Sequence, residues 1–358
     1  MTDVLIVGSG PTGLTLACGL ALHGVDVRIV DQRPGPHRES RGKSLSSSSL
    51  RVLEQLGVAA RMTALGNADL VFRKYFDGAH ISDTPFTDVL FMGQWQIEEV
   101  LRERLAELGV RVEYGTRITG IHQEADAVTA QPAAGPAIRS RYLAGCDGGG
   151  SATRKLLGIP FEGSTEERSM MVLGDVSAPG LSREFWHQWF TSDGAAMLLC
   201  PIPGTDSFQL QASRELDADG EPLPPSLESF QRLFDRHARM PGIELADPTW
   251  MSTWRVNVRM AARLREGRVF LAGDAAHVQP IAGGRGMNTG ITDAAVLGRA
   301  LTSALSAPSG PTREELLARY ETERLPAAAE LLADTTQRLE RVLAAVREPG
   351  RGTEAGLR

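Results

Sequence analysis

The amino-acid sequence predicts an α/β fold in which a βαβ-type domain is interrupted by a β-rich insertion and followed by C-terminal helices. Three observations carry this. The apolar run Val4-Leu5-Ile6-Val7 leads straight into Gly8-Ser9-Gly10-Pro11-Thr12-Gly13. Far along the chain a second apolar strand, Val269–Ala272, leads into Gly273-Asp274-Ala275-Ala276-His277. Between the two, residues 170–260 change to alternating runs separated by turn residues.

Each element follows from its pattern. Val4–Val7 is a buried strand, and Gly8–Gly13 is the turn after it. Pro11 suits a first helical turn, where its missing N–H costs nothing. Leu14–His23 is an apolar helix stopped by Gly24. Val25–Val30 alternates and then runs apolar, a second strand that ends at Asp31 and completes a βαβ unit. Residues 32–45 form a polar loop. Ser46–Leu56 is a helix, with Leu50, Leu53 and Leu56 on one side and Gly57 as its stop. Residues 70–92 are strands and turns carrying Phe72, Tyr75, Phe76, Phe86 and Phe91. Gln94–Leu108 is a strong helix, and Val110–Tyr114, Ile118–His122, Ala127–Ala130 and Arg141–Ala144 are short strands.

In the insertion, Ser192-Asp193-Gly194 separates the strands Phe185–Thr191 and Ala195–Cys200. Ser207–Ser213 is a further strand and Leu227–His237 a helix. Asn288–Leu305 is a helix, Arg313–Arg341 holds one or two more, and the Gly-rich tail from Arg347 is expected to be disordered. The expected partition is 1–70, 93–169 and 261–305 for the nucleotide-binding domain. Residues 71–92 and 170–260 form the substrate domain, and 306–358 the C-terminal helices and tail.

Composition narrows the function. The chain has 358 residues, enough for one large core or two linked ones. A net charge of −6 gives no reason to expect nucleic acid or an anionic membrane as partner. Cys18, Cys146 and Cys200 are odd in number, far apart and fit no metal spacing, so buried free thiols and no bound metal are expected. The N-terminus lacks a basic region, Val4–Val7 is too short for a signal-peptide core, and no run approaches the ~20 apolar residues of a span. The expected location is the cytoplasm.

Gly8, Gly10 and Gly13 satisfy G-x-G-x-x-G in its required place, after a strand and before a helix. The first glycine makes the turn. The second lets backbone approach a pyrophosphate, which the N–H groups near Pro11 and Thr12 can hold. The third lets helix and strand pack closely. Asp31, with Gln32 beside it, can accept from ribose hydroxyls. This motif alone does not separate FAD from NAD.

The second glycine-rich segment is more specific. Gly273–Pro280, Gly283-Gly284-Arg285-Gly286-Met287-Asn288-Thr289-Gly290 and Asp293-Ala294 together resemble the FAD-dependent aromatic hydroxylases of the p-hydroxybenzoate hydroxylase fold. Cys146-Asp147-Gly148, with Ser151 and Arg154, is similar to that family's middle motif. Arg41, and Gln94 with Glu98, match two further FAD-contacting segments. The resemblance covers about residues 1–305 and looks closest to the branch that oxidises polycyclic aromatic polyketides.

The resemblance implies a Rossmann-like FAD-binding domain, with Gly273, Asp274, Pro280, Gly283, Gly284, Gly286, Met287 and Asn288 at the flavin end. Arg41, Gln94 and Asp147 complete the cofactor set. Asp274 can accept from a ribityl hydroxyl, and the helix near Met287 turns its positive end to the flavin N1–O2 edge. The implied cycle uses NAD(P)H to reduce the flavin and O₂ to form a C4a-hydroperoxide. One oxygen then passes to a phenolic or polycyclic aromatic substrate. Arg41, Ile281 and Gly284 are the candidate catalytic positions. No second dinucleotide motif occurs, which fits a family whose NAD(P)H has no domain of its own.

The pattern departs at Ile281, where a second proline is usual, at Arg285, where Gln is common, and at Gly149-Gly150, where Ala-Arg is common. The thioredoxin-like C-terminal domain of many relatives is absent, leaving oligomeric state open, with a homodimer as one outcome. Epoxidation and Baeyer–Villiger insertion on the same scaffold, a flavin reductase or dehydrogenase, and a non-catalytic FAD-binding paralogue stand as alternatives. A halogenase lacks its Trp-x-Trp-x-Ile-Pro signature here. Trp186, Gln188 and Phe190 share one strand face, and His187 and Trp189 the other. His187 is a candidate phenol-activating base, His277 a structural residue of the flavin motif, and Trp250 and Trp254 candidate core residues.

Overall fold

A computed structural model describes residues 1–279 and 284–347. In chain order the first elements are β1 (Thr2–Val7), α1 (Pro11–Leu22), β2 (Val27–Val30), β3 (Ser44–Ser46), α2 (Ser47–Gln55), α3 (Ala59–Leu65), β4 (Val71–Phe76), β5 (Ala79–Pro85) and β6 (Val89–Phe91). Next come α4 (Gln94–Glu107), β7 (Val112–Glu113), β8 (Ile118–Gln123), β9 (Val128–Pro132), β10 (Ile138–Gly145), α5 (Ala152–Leu156) and β11 (Phe161–Ser177). They are followed by β12 (Phe185–Phe190), β13 (Ala196–Pro201), β14 (Ser207–Ser213), α6 (Leu227–Ala238) and β15 (Ala246–Ala261). The last are β16 (Arg265–Glu266), β17 (Val269–Leu271), β18 (His277–Val278), α7 (Gly286–Ser306) and α8 (Pro311–Arg347), with a single 3₁₀ turn at Gly273–Ala275.

Two large sheets organise these elements. The first runs β16-β17-β10-β1-β2-β7, with β8 and β9 continuing from β10. Its ladders β17–β10, β10–β1, β1–β2 and β2–β7 are all parallel. Parallel strands covered on both faces must be apolar on both faces, and β1 is. Val4 and Ile6 pack into the core beneath α1, while Leu5 and Val7 enter a separate cluster on the other side.

The second sheet runs β18-β15-β11-β14-β13-β12-β4-β5, antiparallel apart from the β12–β4 ladder. One face is covered by α6, whose Phe230, Leu233 and Phe234 meet Val172, Val176, Trp189, Phe208 and Leu210. The other face is polar at its centre.

The α/β class matches the expectation from sequence, but some elements differ. The insertion is built around two long strands, β11 and β15, paired along most of their length, which alternation did not reveal. Gly163, Gly174 and the polar run Glu162–Glu166 break the apolar alternation. Gly163 has φ +127°, and a Cβ there would collide with the Val258 carbonyl, so the position requires glycine. Trp250 and Trp254 lie half-buried on β15, outside the core clusters. The expected boundary at residue 169 falls inside β11. The C-terminal region is one helix, α8, that continues through Pro326. The tail from residue 348 lies outside the described residues. Among the described residues no helix is long and apolar enough to cross a membrane, and no His/Cys/Asp/Glu grouping could hold a metal. All three cysteines are buried and free.

Candidate functional site

At the end of β1 the chain turns at Gly8, with φ +105°, where a Cβ would strike the Cys146 carbonyl. Gly13 faces the Gly8 carbonyl so closely that a Cβ cannot fit. Gly10 is different. It has extended backbone at the N-cap of α1, no side chain caps the helix, and a Cβ there would meet nothing within 4 Å. The first-turn N–H groups of Thr12 and Gly13 have no side-chain cap, the donor set that holds a phosphate. That cradle fits the pyrophosphate of a dinucleotide.

Asp31 is buried and already engaged. Its carboxylate accepts from the Ser9 N–H and Ser9 hydroxyl, both at 2.8 Å, and from the Arg33 N–H at 2.9 Å. Burial would raise its pKa, but these bonds and the Arg33 charge hold it below the usual range. A ribose hydroxyl would take the place of the longer Arg33 guanidinium contacts at 3.3 and 3.4 Å. Gln32 is exposed.

At the other end, Asp274 is the single exposed residue in the otherwise buried stretch Leu271–His277. Its carboxyl is open to solvent but sits in a crevice crowded by protein. Desolvation raises its pKa, against the pull of His277 and Arg41. The loop that presents it is anchored from behind. Buried Asp293 on α7 accepts from the Gly273 N–H at 3.0 Å, from His277 Nε2 at 2.7 Å and from Arg324 Nε of α8 at 2.7 Å. Burial opposes both charges, but the pair holds His277 protonated above its ordinary range and Asp293 ionised below its own. Arg154 donates to the Ala275 carbonyl at 2.8 Å and the Gly149 carbonyl at 2.9 Å, and lies 3.7 Å over the Phe161 ring. Tyr320 donates to the Leu271 carbonyl at 2.6 Å. Asp293 and Arg324 received no site role in the sequence reading, and their pairing spans two helices that periodicity does not place together.

The segment after Arg41 closes over the start of α7. Gly42 N–H donates to Gln94 Oε1 at 3.0 Å, and a Cβ on Gly42 would press on Gln94 and Met287. Gly284 has φ +60° and faces Ser44. Arg41 itself is exposed and pairs with Glu39 at 2.8 Å. Asn288 accepts from Ser46 N–H and Ser49 hydroxyl and donates to the Ser44 carbonyl, so its amide fastens α7 to β3 and α2. Asp147 accepts from Ser151 and Thr153 and fixes the start of α5, which leaves the Gly148–Gly150 backbone as the part that faces outward. Arg285 pairs with Asp334 at 3.0 Å, so its charge is shared with α8. Pro280, Ile281 and Gly283 lie outside the described residues.

Two further observations bear on what the site holds. Gln279 is buried with neither amide atom hydrogen-bonded, and its nitrogen lies 4.0 Å from where a Gly286 Cβ would stand. A ring edge carrying both donors and acceptors would satisfy it, which a flavin offers. On the second sheet, His187 Nε2 donates to the Ser182 carbonyl at 2.8 Å, its Nδ1 lies 3.3 Å from the Tyr75 hydroxyl, and the ring stacks on Trp189. Burial lowers its pKa. It faces the α6 side, so it is a packing residue and not a base for the opposite face.

Residues 1–335 match the family model described as FAD binding domain. A flavin-dependent monooxygenase of Mycobacteroides abscessus is 37% identical over 370 residues, covering 97% of this chain and 76% of that protein. Aklavinone-11 hydroxylase, solved with FAD and aklavinone, is similar at 27% identity and TM-score 0.81, covering 99% of this chain and 72% of that one. The Diels-Alderase PyrE3 of pyrroindomycin biosynthesis is similar at 30% identity and TM-score 0.77, covering 100% and 79%.

Proposed function

The chain belongs to the FAD-binding-domain family, and from that premise we propose that it is an NAD(P)H-dependent monooxygenase that hydroxylates a phenolic or polycyclic, polyketide-like aromatic compound. One observation carries the reading: the open N-terminus of α1 and the exposed Asp274 adjoin, since a Cβ on Gly273, next to Asp274, would meet Thr12 Oγ1 at 2.5 Å while one on Gly10 would meet nothing. They suit the pyrophosphate and ribityl ends of a single FAD.

Gly8, Gly10, Pro11, Thr12 and Gly13 bind the pyrophosphate, with Asp31 and Gln32 at the adenosine ribose. Asp274 takes a ribityl hydroxyl. Gly273, Gly284, Gly286, Met287 and Asn288, with Arg41, Gln94 and Asp147, shape the flavin end, joined by Pro280 and Gly283 on the sequence pattern. FAD supplies the reduction by NAD(P)H and the activation of O₂ that delivers one oxygen atom to the ring. The chain orients the ring against it through the polar face of the second sheet and excludes water by the aromatic cluster of Phe72, Phe86, Phe91 and Trp186. Arg41 and Gly284, with Ile281 on the sequence pattern alone, are the positions we assign to the reacting edge. Arg41 is exposed, pairs with Glu39 and exerts its charge on Asp274. The cytoplasm is the location we propose, on the sequence reading.

The test is NAD(P)H consumption in air by the FAD-loaded protein, with hydrogen peroxide quantified, across phenols and polycyclic quinones. The reading predicts that one aromatic accelerates consumption while peroxide stays below it, and that the product gains one oxygen. The similarity to a Diels-Alderase supports a second reading, in which FAD is bound and no aromatic accelerates NAD(P)H consumption.

A further inference from the structure

One residue crosses from the flavin side to the substrate sheet. Lys43 stands between Gly42, which abuts Met287, and Ser44, which abuts Gly284. Its ammonium nitrogen is sealed from water, has no hydrogen-bond partner and lies 4.0 Å from the Trp186 ring centre on β12. Beneath it a single rung crosses four strands. Cys200 is opposite Gln209, Gln209 opposite Asp175, and Asp175 opposite Trp250. Directly opposed residues share a face, and this face is turned away from α6.

The rung is rich in unmet polar atoms. Asp175 is 2% exposed and its Oδ1 has no partner; Gln209 is fully buried with its amide nitrogen unpartnered. Trp186 Nε1 is buried and unpartnered as well, while Trp250 Nε1 and Ser40 Oγ, also outside good hydrogen-bond geometry, stand close enough to Asp175 to favour its charged form. Such groups are normally satisfied in folded proteins, and their convergence calls for a ligand that carries matching atoms. Lys43 and Asp175 do not form an ion pair with each other, which leaves a cation and an acceptor available to one molecule.

We propose that Lys43 and Asp175 are the recognition pair for an aromatic substrate with an acidic hydroxyl beside a second hydroxyl. Lys43 Nζ holds the ionised oxygen, and Asp175 accepts from the neighbouring hydroxyl. The assignment rests on the aromatic-hydroxylase reading and specifies its substrate. Burial has brought the Lys43 pKa down to about 8, with Asp175 and the Cys200 thiol as the titratable groups facing it. Burial likewise raises Asp175 to about 6. A neutral amine at Lys43 takes the proton as the substrate O–H bond breaks. The oxygen keeps the electron pair, and the buried ammonium gains the counter-charge it lacks. An ionised ring oxygen also makes the ring more electron-rich toward an electrophilic oxygen.

The test uses FAD-loaded protein with 1,2-dihydroxyanthraquinone and its 2-methyl ether, which cannot ionise at that position. The visible band of the dihydroxy probe moves to the red on ionisation. The wild type should lower the bound probe's ionisation midpoint by about one pH unit or more, equivalent to about tenfold. Lys43→Met should abolish that shift and weaken the dihydroxy probe about tenfold, leaving the methyl ether within about twofold. An apolar chain of similar length at a buried charge is compatible with folding, and Lys43→Arg should retain the shift. Asp175→Asn should weaken both probes and leave the colour change. A colour shift that persists in Lys43→Met, or equal weakening of both probes by it, overturns the assignment. A wild type that keeps FAD and binds the methyl ether without shifting the dihydroxy probe overturns the pair alone. One that binds neither overturns the substrate reading with it.

Discussion

Replacing Asp293 by Ala should unfasten the flavin loop from behind. The carboxylate is fully buried and serves three partners: Arg324 Nε and His277 Nε2 at 2.7 Å and the Gly273 N–H at 3.0 Å. Removing it leaves Arg324, 9% exposed, as an uncompensated buried cation. That situation costs about 3–5 kcal/mol, against a total stability of about 5–15 kcal/mol for a folded domain. His277 can escape by losing its proton, and the Gly273 N–H adds a smaller unsatisfied-donor cost of about 1–3 kcal/mol. Urea unfolding of the FAD-free protein, followed by far-ultraviolet circular dichroism, gives the loss directly. Flavin absorbance after gel filtration gives its effect on FAD. The double variant Asp293→Ala with Arg324→Met should recover part of the stability, because the orphaned charge is gone. A loss below about 1 kcal/mol in Asp293→Ala, or no recovery in the double variant, would refute the argument.

Other outcomes follow from the same geometry. Gly10→Ala should leave the FAD-free protein within about 0.5 kcal/mol, since its Cβ meets nothing, yet weaken FAD retention measured by equilibrium dialysis. Gly13→Ala should cost about 1–3 kcal/mol, because its Cβ strikes the Gly8 carbonyl; a neutral result there would count against the close packing of α1 on β1. Asp274→Ala should keep stability, being exposed, and lose FAD affinity by about tenfold to a hundredfold, the range for a charge-assisted hydrogen bond; a fully yellow variant would remove its assigned role. His277 binds its proton more tightly folded than unfolded. Its stabilisation is therefore whole below about pH 6.5 and is lost as pH rises through the folded-state value. Melting curves from about pH 6 to 9 should fall for the wild type relative to His277→Gln; parallel curves would show that the pair does not titrate as described.

The strand–turn–helix unit at the N-terminus was legible because its physics is local. A strand, a turn that only glycine can make and a helix with free N–H groups all lie within Thr2–Leu22, and each leaves a mark in spacing. Asp274 was legible through its position after β17. The long strands β11 and β15 were not, because Gly163 and Gly174 of β11 sit where the β15 backbone comes close, and a missing side chain breaks the alternation. Lys43 lies in the polar loop 32–45 and drew no role from its sequence context. Its burial depends on β11, β12 and β13 arriving from far along the chain. The Asp293–Arg324 contact likewise arises only when α7 and α8 pack. Trp250 reads as core by hydrophobicity, and the structure sets it on the polar face because it stands opposite Asp175.

The short strand β18 has a mechanical meaning. Immediately after Asp274 the chain leaves the first sheet and pairs with β15 at Arg259 and Met260, while the Ala261 N–H donates to the Ala276 carbonyl at 2.7 Å. The loop we assign to the cofactor is thus stitched to the rim of the sheet we assign to the substrate. Neither sheet can rock against its neighbour without tugging on that stitch.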